Sequence, residues 1–169
     1  MRLRGHKERI EDLHSLNSRV IGSCSSEGVK LWDLYKEKCE YTLTDNHNPT
    51  TIQFLPNSNN LVIGLSNHQL KIYSIETMKL NRKYELGGVP LILDAGKFAD
   101  HCFYVGGFTS SLAMVDTRLN KLVFDINLSN EAVTSIADSI NDEYAVAVGD
   151  RGGQCSILDM KMRRKKVAW

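Results

Sequence analysis

Four short segments recur along the chain at a nearly constant interval, and that period limits what the polypeptide can fold into. The segments are Val29-Lys30-Leu31-Trp32-Asp33, Leu70-Lys71-Ile72-Tyr73-Ser74, Leu112-Ala113-Met114-Val115-Asp116 and Cys155-Ser156-Ile157-Leu158-Asp159. They place Trp32, Tyr73, Val115 and Leu158 at successive spacings of 41, 42 and 43 residues. A second residue class keeps the same interval: Gly22, Gly64, Gly106 and Gly149, each closing an apolar run, lie 42, 42 and 43 apart. Two independent sets of anchors with one period identify a true internal repeat, the mark of stacked or radially arranged units.

Within each unit the pattern reads as strands. Val20-Ile21-Gly22, Leu61 to Gly64, Phe103 to Gly106 and Tyr144 to Gly149 are short runs of β-branched and aromatic residues. Small polar turns follow: Ser25 to Gly28, Ser66 to His68, Thr109 to Ser111 and Asp150 to Gly153. Each turn leads back into an anchor segment, which makes a hairpin. Weaker strands precede the hairpins at Ile10 to Leu13, Thr51 to Phe54, Leu91 to Leu93 and Val133 to Ile136. Amphipathic stretches follow them at Cys39 to Leu43, Leu80 to Leu86, Leu122 to Ile126 and Val167 to Trp169. The expectation is an all-β chain with about four strands per unit and no helix. One such sheet cannot bury both of its faces alone, so neighbouring units must cover each other. Ile21, Ile63, Tyr104 and Val146 are expected in the resulting core.

The first unit begins with Gly5-His6 and ends with Trp32-Asp33, and His6 to Trp32 repeats the 26-residue spacing of His47 to Tyr73. In these residues the chain resembles the WD-repeat β-propellers. The resemblance spans the whole chain, by motif in unit one and by pattern in the later units. It implies a WD-repeat β-propeller of four blades, about 1–38, 39–79, 80–121 and 122–169, each of about four strands. It further implies a buried blade network of His6, Ser23 and Trp32, with His47 and Tyr73 as counterparts in unit two. The family's turn Asp is replaced here by Ser26, and by Asn67, Thr109 and Gly152 in the later units, so the network is expected to be incomplete. Family propellers usually close with about seven blades, roughly 300 residues at this period. With 169 residues, three arrangements fit: part of a larger propeller, a ring completed by a second chain or a second copy, or a small four-bladed ring. Arg2-Leu3-Arg4 reads as an outermost strand borrowed by a neighbour. On the family's loop-bearing face the resemblance points to Lys7, Arg9, Asn46, Asn48, Phe108 and Arg151 as partner-binding candidates. Phe108, an aromatic in an exposed turn, reads either as a binding anchor or as a side chain folded onto its own blade.

Little in the sequence suggests catalysis. The five histidines, His6, His14, His47, His68 and His101, show no metal-ligand spacing, and the last two with His14 fall in or near expected turns. Asp33, Asp116 and Asp159 recur at one position, as structural residues do. Gly149 to Gly153 reads as a hairpin turn because no lysine and no helix follow it, and Gly87-Gly88-Val89-Pro90 as a loop between units. The four cysteines, spaced 15, 63 and 53, form no Cys-x-x-Cys pair. They are expected reduced and mostly buried. No enzyme activity, cofactor or metal is expected. A net charge of +1 gives no overall pull toward nucleic acid or membrane, and Met1 to Arg9 is too polar for a secretory signal. The expected location is intracellular, cytoplasmic or nuclear. One local bias exists: Lys161, Arg163, Arg164, Lys165 and Lys166 put five positive charges in six residues. They read either as a solvated connection between the last two strands or as a nuclear-import or phosphate-contacting segment. Two functions follow. The first is a protein-interaction scaffold in a multisubunit assembly, with other protein subunits as partners and no membrane. The alternative is an assembly factor of an RNA-containing particle, contacting RNA phosphates through this segment and Arg2, Arg4, Lys7 and Arg9.

Overall fold

The computed structural model describes residues 2–44, 47–55, 58–94, 101–108, 110–128, 130–139 and 144–162, with the backbone of 164–168. Among them sixteen strands form four antiparallel sheets in chain order. The first sheet holds β1 (Ile10–Ser15), β2 (Val20–Ser25), β3 (Gly28–Asp33) and β4 (Lys38–Leu43). The second holds β5 (Pro49–Leu55), β6 (Asn60–Leu65), β7 (Gln69–Ser74) and β8 (Leu80–Glu85). The third holds β9 (Pro90–Asp94), β10 (Cys102–Gly107), β11 (Ser111–Asp116) and β12 (Leu122–Asn127). The fourth holds β13 (Val133–Asp138), β14 (Ala145–Asp150), β15 (Cys155–Asp159) and β16 (Arg164–Ala168). Each sheet is a meander whose strands pair with their sequence neighbours. The hairpin turns use residues that accept a positive φ, such as Gly28 (φ 134), His68 (φ 67) and Ser110 (φ 57).

Successive side chains on a strand point to opposite faces, so burial on both faces demands unbroken apolar runs. The second and third sheets meet that demand: every residue of β10 and β11 is buried, and Leu61 to Leu65 of β6 as well. Three apolar clusters fill the spaces between sheets. Cys24, Leu31, Ile52, Phe54 and Ile63 pack between the first and second. Leu55, Val62, Ile72, Phe103 and Val105 pack between the second and third. Tyr104, Leu112, Met114, Val146 and Leu158 pack between the third and fourth.

The sheets converge on their first strands. β5 packs on β1 and β2, β9 on β5 and β6, and β13 on β9 and β10, whereas the fourth strands pack chiefly within their own sheets. Among the described residues the result is a fan, with no comparable contact joining β13 back to β1. The periodic glycines sit at these contacts. A Cβ on Gly22 would run into Ile52 and Phe54, one on Gly64 into Pro90, and one on Gly106 into Val133. Gly22, Gly64 and Gly106 are therefore seats for the next sheet's first strand.

Several expectations change. Cys39 to Leu43 pairs with β3 and so closes the first sheet. The sheet breaks accordingly fall at 44–48, 86–89 and 128–132, several residues beyond the expected blade boundaries. Arg2-Leu3-Arg4 forms no strand; residues 2–6 cross the outer face of the first sheet. Ile21 lies on that same face and is half-buried, unlike Ile63, Tyr104 and Val146. His14 is in β1 between two sheets, not in a turn. Cys24 and Cys102 are buried, but Cys39 and Cys155 are exposed.

Candidate interaction surface

The outer face of the first sheet is built around one hydrogen-bonded group. His6 Nε2 lies 2.7 Å from Ser23 Oγ, and Trp32 Nε1 donates to the same hydroxyl at 2.8 Å. Ser25 Oγ lies 2.8 Å from His6 Nδ1. Ser25, adjacent to the expected turn position, therefore supplies the partner that Ser26 does not, and Ser26 is exposed. Burial, ahead of the Lys30 charge, holds the His6 imidazole below its ordinary pKa. Gly5 lets the chain cross the indole, since a Cβ there would come within 2.8 Å of Trp32 Cη2. In the second sheet His47 is exposed and its carbonyl accepts from Ser66, while Tyr73 packs against the first apolar cluster.

The recurring acidic residues hold the turn after the third strand. Asp33 accepts from Tyr35 N at 3.0 Å, Lys36 N at 3.1 Å and the Arg19 guanidinium at 2.7 and 2.8 Å. Asp116 binds Arg118 through both carboxylate oxygens, and Asp159 accepts from Met162 N. The arginine hydrogen bonds hold both Asp33 and Asp116 below the usual carboxylate pKa. These carboxylates are occupied with turn geometry.

The partner-binding candidates share one end of the fan. There, the segment entering each first strand hydrogen-bonds to the turn between strands two and three. Lys7 N donates to Glu27, Ser66 N to the Asn48 carbonyl, Phe108 N to the Val89 carbonyl and Arg151 N to the Ala132 carbonyl. Lys7, Arg9, Asn48, Phe108 and Arg151 are all exposed, with Arg9 ion-paired to Glu11. Phe108, 54% exposed, projects to solvent instead of folding onto its sheet. Asn46 lies outside the described residues. In the basic segment, Lys161 is exposed and sits over the Tyr144 ring at 5.6 Å. Arg163 lies outside the described residues. Arg164, Lys165 and Lys166 are part of β16, paired with β15, and not a connection between strands. Basic residues on an edge strand discourage pairing with another edge.

Two features went beyond what the sequence signalled. Asp12 reaches across to the second sheet, accepting from Thr51 Oγ1 at 2.8 Å and Ile52 N at 3.0 Å. It belongs to no recurring anchor. The other feature is a cleft of about 750 Å³ on the outer face of the first sheet, lined by Arg2, Leu3, Leu13, Ile21, Trp32 and Leu34 among others. Ile10 and Leu13 beside it are 48% and 62% exposed. Alternation within β1 hints at such a face, but nothing in the sequence says whether it is covered. Among the described residues no group of three or more His, Cys, Asp or Glu is placed to hold a metal. No helix among them is long and apolar enough to cross a membrane.

No family model matches the chain. It is similar to the ribosome biogenesis protein YTM1 of Debaryomyces hansenii, at 25% identity over 134 residues. That alignment covers 73% of this chain and 29% of the yeast protein, so the chain spans less than a third of its relative's length. The all-strand structure and its four antiparallel sheets fit a propeller-like fold.

Proposed function

We propose that the chain is a WD-type propeller segment acting as a non-catalytic scaffold in the assembly of a multisubunit particle. The observation that carries this reading is the outer face of the first sheet, uncovered among the described residues, where exposed Ile10 and Leu13 flank an apolar-floored cleft with arginines at its rim. Exposed apolar surface of this kind marks protein interaction sites. The rigid hairpin turns beside it display Lys7, Arg9, Asn48, Phe108 and Arg151 without spending them on the fold. The likeness to a ribosome biogenesis protein supports a ribosomal precursor as the particle. The test is sedimentation of the tagged chain expressed in a eukaryotic cell. Co-migration with ribosomal precursors, weakened by Phe108→Ala with Leu13→Asp, is the expected result. Migration as free protein under all conditions would refute the assembly role.

A second reading, direct RNA contact, is favoured by one observation, the concentration of basic residues in Lys161 to Lys166. If five phosphates are neutralised, log affinity for single-stranded RNA falls against log salt with a slope of about −3.5. A flat salt response in filter binding would remove this reading and leave the scaffold.

A further inference from the structure

The seam between the second and third sheets holds a positive charge that no carboxylate answers. Arg9, Arg19 and Arg118 each lie on an acid, Glu11, Asp33 and Asp116 respectively. Arg82, half-buried on β8, reaches across the seam to two neutral oxygens instead, the Asn120 side-chain carbonyl and, at 3.3 Å, the Arg118 backbone carbonyl. Among the described residues it has no ion pair. Beside it lies a cleft of about 400 Å³, lined by Asn60, Ile72, Asn81, Arg82 and Thr117, with no acid among them. That volume is within the range of ordinary small-molecule sites.

The donors of this cleft outnumber the acceptors they meet. Thr117 is 9% exposed. Its backbone N–H donates to the His101 carbonyl, and its hydroxyl makes no hydrogen bond among the described residues. Asn60 accepts from Asn81 at 3.1 Å through its side-chain oxygen, which leaves its own NH2 uncommitted. Arg82 keeps N–H groups beyond the two engaged at Asn120 and Arg118. Polar groups taken from water without a partner cost free energy. Three such donors around one unmatched cation therefore suit an anion with several oxygens. The walls are held in place: the Tyr84 hydroxyl, two residues along β8 from Arg82, donates to the Leu119 carbonyl at 2.7 Å. Asp116, next to Thr117, is matched by Arg118 through both carboxylate oxygens.

We propose that this cleft binds a phosphate group, free or at the end of a small molecule. A terminal phosphate carries about two negative charges near neutral pH and three acceptor oxygens. Those oxygens match the Arg82 guanidinium, the Thr117 hydroxyl and the Asn60 amide, whereas a carboxylate has too few to serve all three. The space beyond the phosphate accommodates a sugar-sized group against Ile72. Arg82 is the one cation among the lining residues, so no row of charges continues from the cleft as a nucleic-acid backbone would require. The site lies between two inner sheets, away from the outer face of the first sheet and from the basic segment. It depends on neither the scaffold nor the RNA reading.

The experiment is a proton–nitrogen NMR titration of the full chain at low salt with inorganic phosphate, ribose 5-phosphate and ribose, against sodium chloride at matched ionic strength. The expected result is saturable shifts for the phosphates, centred on residues 117–120 and the Arg82 Nε–H, and none for ribose. Tighter binding of ribose 5-phosphate assigns the site to a phosphate ester, and tighter binding of inorganic phosphate to the free ion. Thr117→Val, which removes the hydroxyl and keeps the shape, should weaken binding about tenfold, the effect of losing a hydrogen bond to a charged group. Arg82→Gln should abolish saturation. Because Arg82 also holds the turn, thermal melting accompanies both variants; if Arg82→Gln fails to fold, Thr117→Val decides alone. Shifts that never saturate, that chloride reproduces, or that scatter over the exposed lysines and arginines would overturn the proposal. So would a Thr117→Val chain that binds phosphate as tightly as the parent.

Discussion

Ser23 shows how much one small side chain can hold. Its buried hydroxyl meets both the Trp32 indole N–H and the His6 ring. Ser23→Ala leaves two polar groups without that partner, at a cost of about 1–3 kcal/mol, read as a lower denaturation midpoint with unchanged slope. Tyr104 is the opposite case, a buried hydroxyl with no hydrogen-bond partner among the described residues. Tyr104→Phe removes an uncompensated polar atom and is expected to leave stability unchanged or raise it by about 1 kcal/mol, checked in the same unfolding assay. His14 adds a pH dependence. Burial lowers its pKa from 6.5, and its Nδ1 accepts from Phe54 N, which places the neutral ring's proton on Nε2. Protons therefore bind the unfolded chain more readily. The His14 contribution is whole above pH 6.5 and is lost as pH falls through the depressed native value. Unfolding midpoints should drop between pH 7 and pH 5, and His14→Asn, whose amide oxygen can stand in for Nδ1, should reduce that drop and leave the part that the likewise lowered His6 contributes. Asp33 and Asp116, held low by Arg19 and Arg118, lose their contribution only in more acid solution, below the ordinary carboxylate range.

The glycines set the scale of the element. Gly106→Ala drives a methyl into Val133 of the next sheet and is expected to cost about 1–3 kcal/mol. Gly149→Ala meets only the Ser135 hydroxyl, which can rotate, and should stay within about 0.5 kcal/mol of the parent. Parallel melting curves of the two variants test the difference. The same residues show what a sequence can disclose. The glycine period and the apolar runs announced all four hairpins, because alternation and close approach leave a periodic trace in residue type. His6, Ser23 and Trp32 were legible because a motif joins them. Sheet membership of Cys39 to Leu43 was less so, since a hydrogen-bonded edge needs no particular residue, and the division by repeat cut it from its sheet. The substitution of Ser25 for Ser26 depends on turn geometry. The Asp12 clamp and the open faces at Leu13 and Gly149 depend on what lies across a gap, which no single strand's pattern records.

At the scale of the molecule, four stacked sheets behave as a short array in which each unit is stabilised by its neighbours. Among the described residues the second and third sheets are covered on both faces, and the first and fourth on one. β6, β10 and β11 are buried nearly throughout, whereas β1 and β13 expose alternate residues. Hydrogen exchange should follow that order, slowest in β6, β10 and β11 and fastest in β1 and β13, because opening an uncovered sheet breaks fewer packed contacts. The gradient follows the burial of each sheet among the described residues. A uniform rate over all four sheets would mean that the array opens as one unit, with stability spread evenly in spite of the uneven burial.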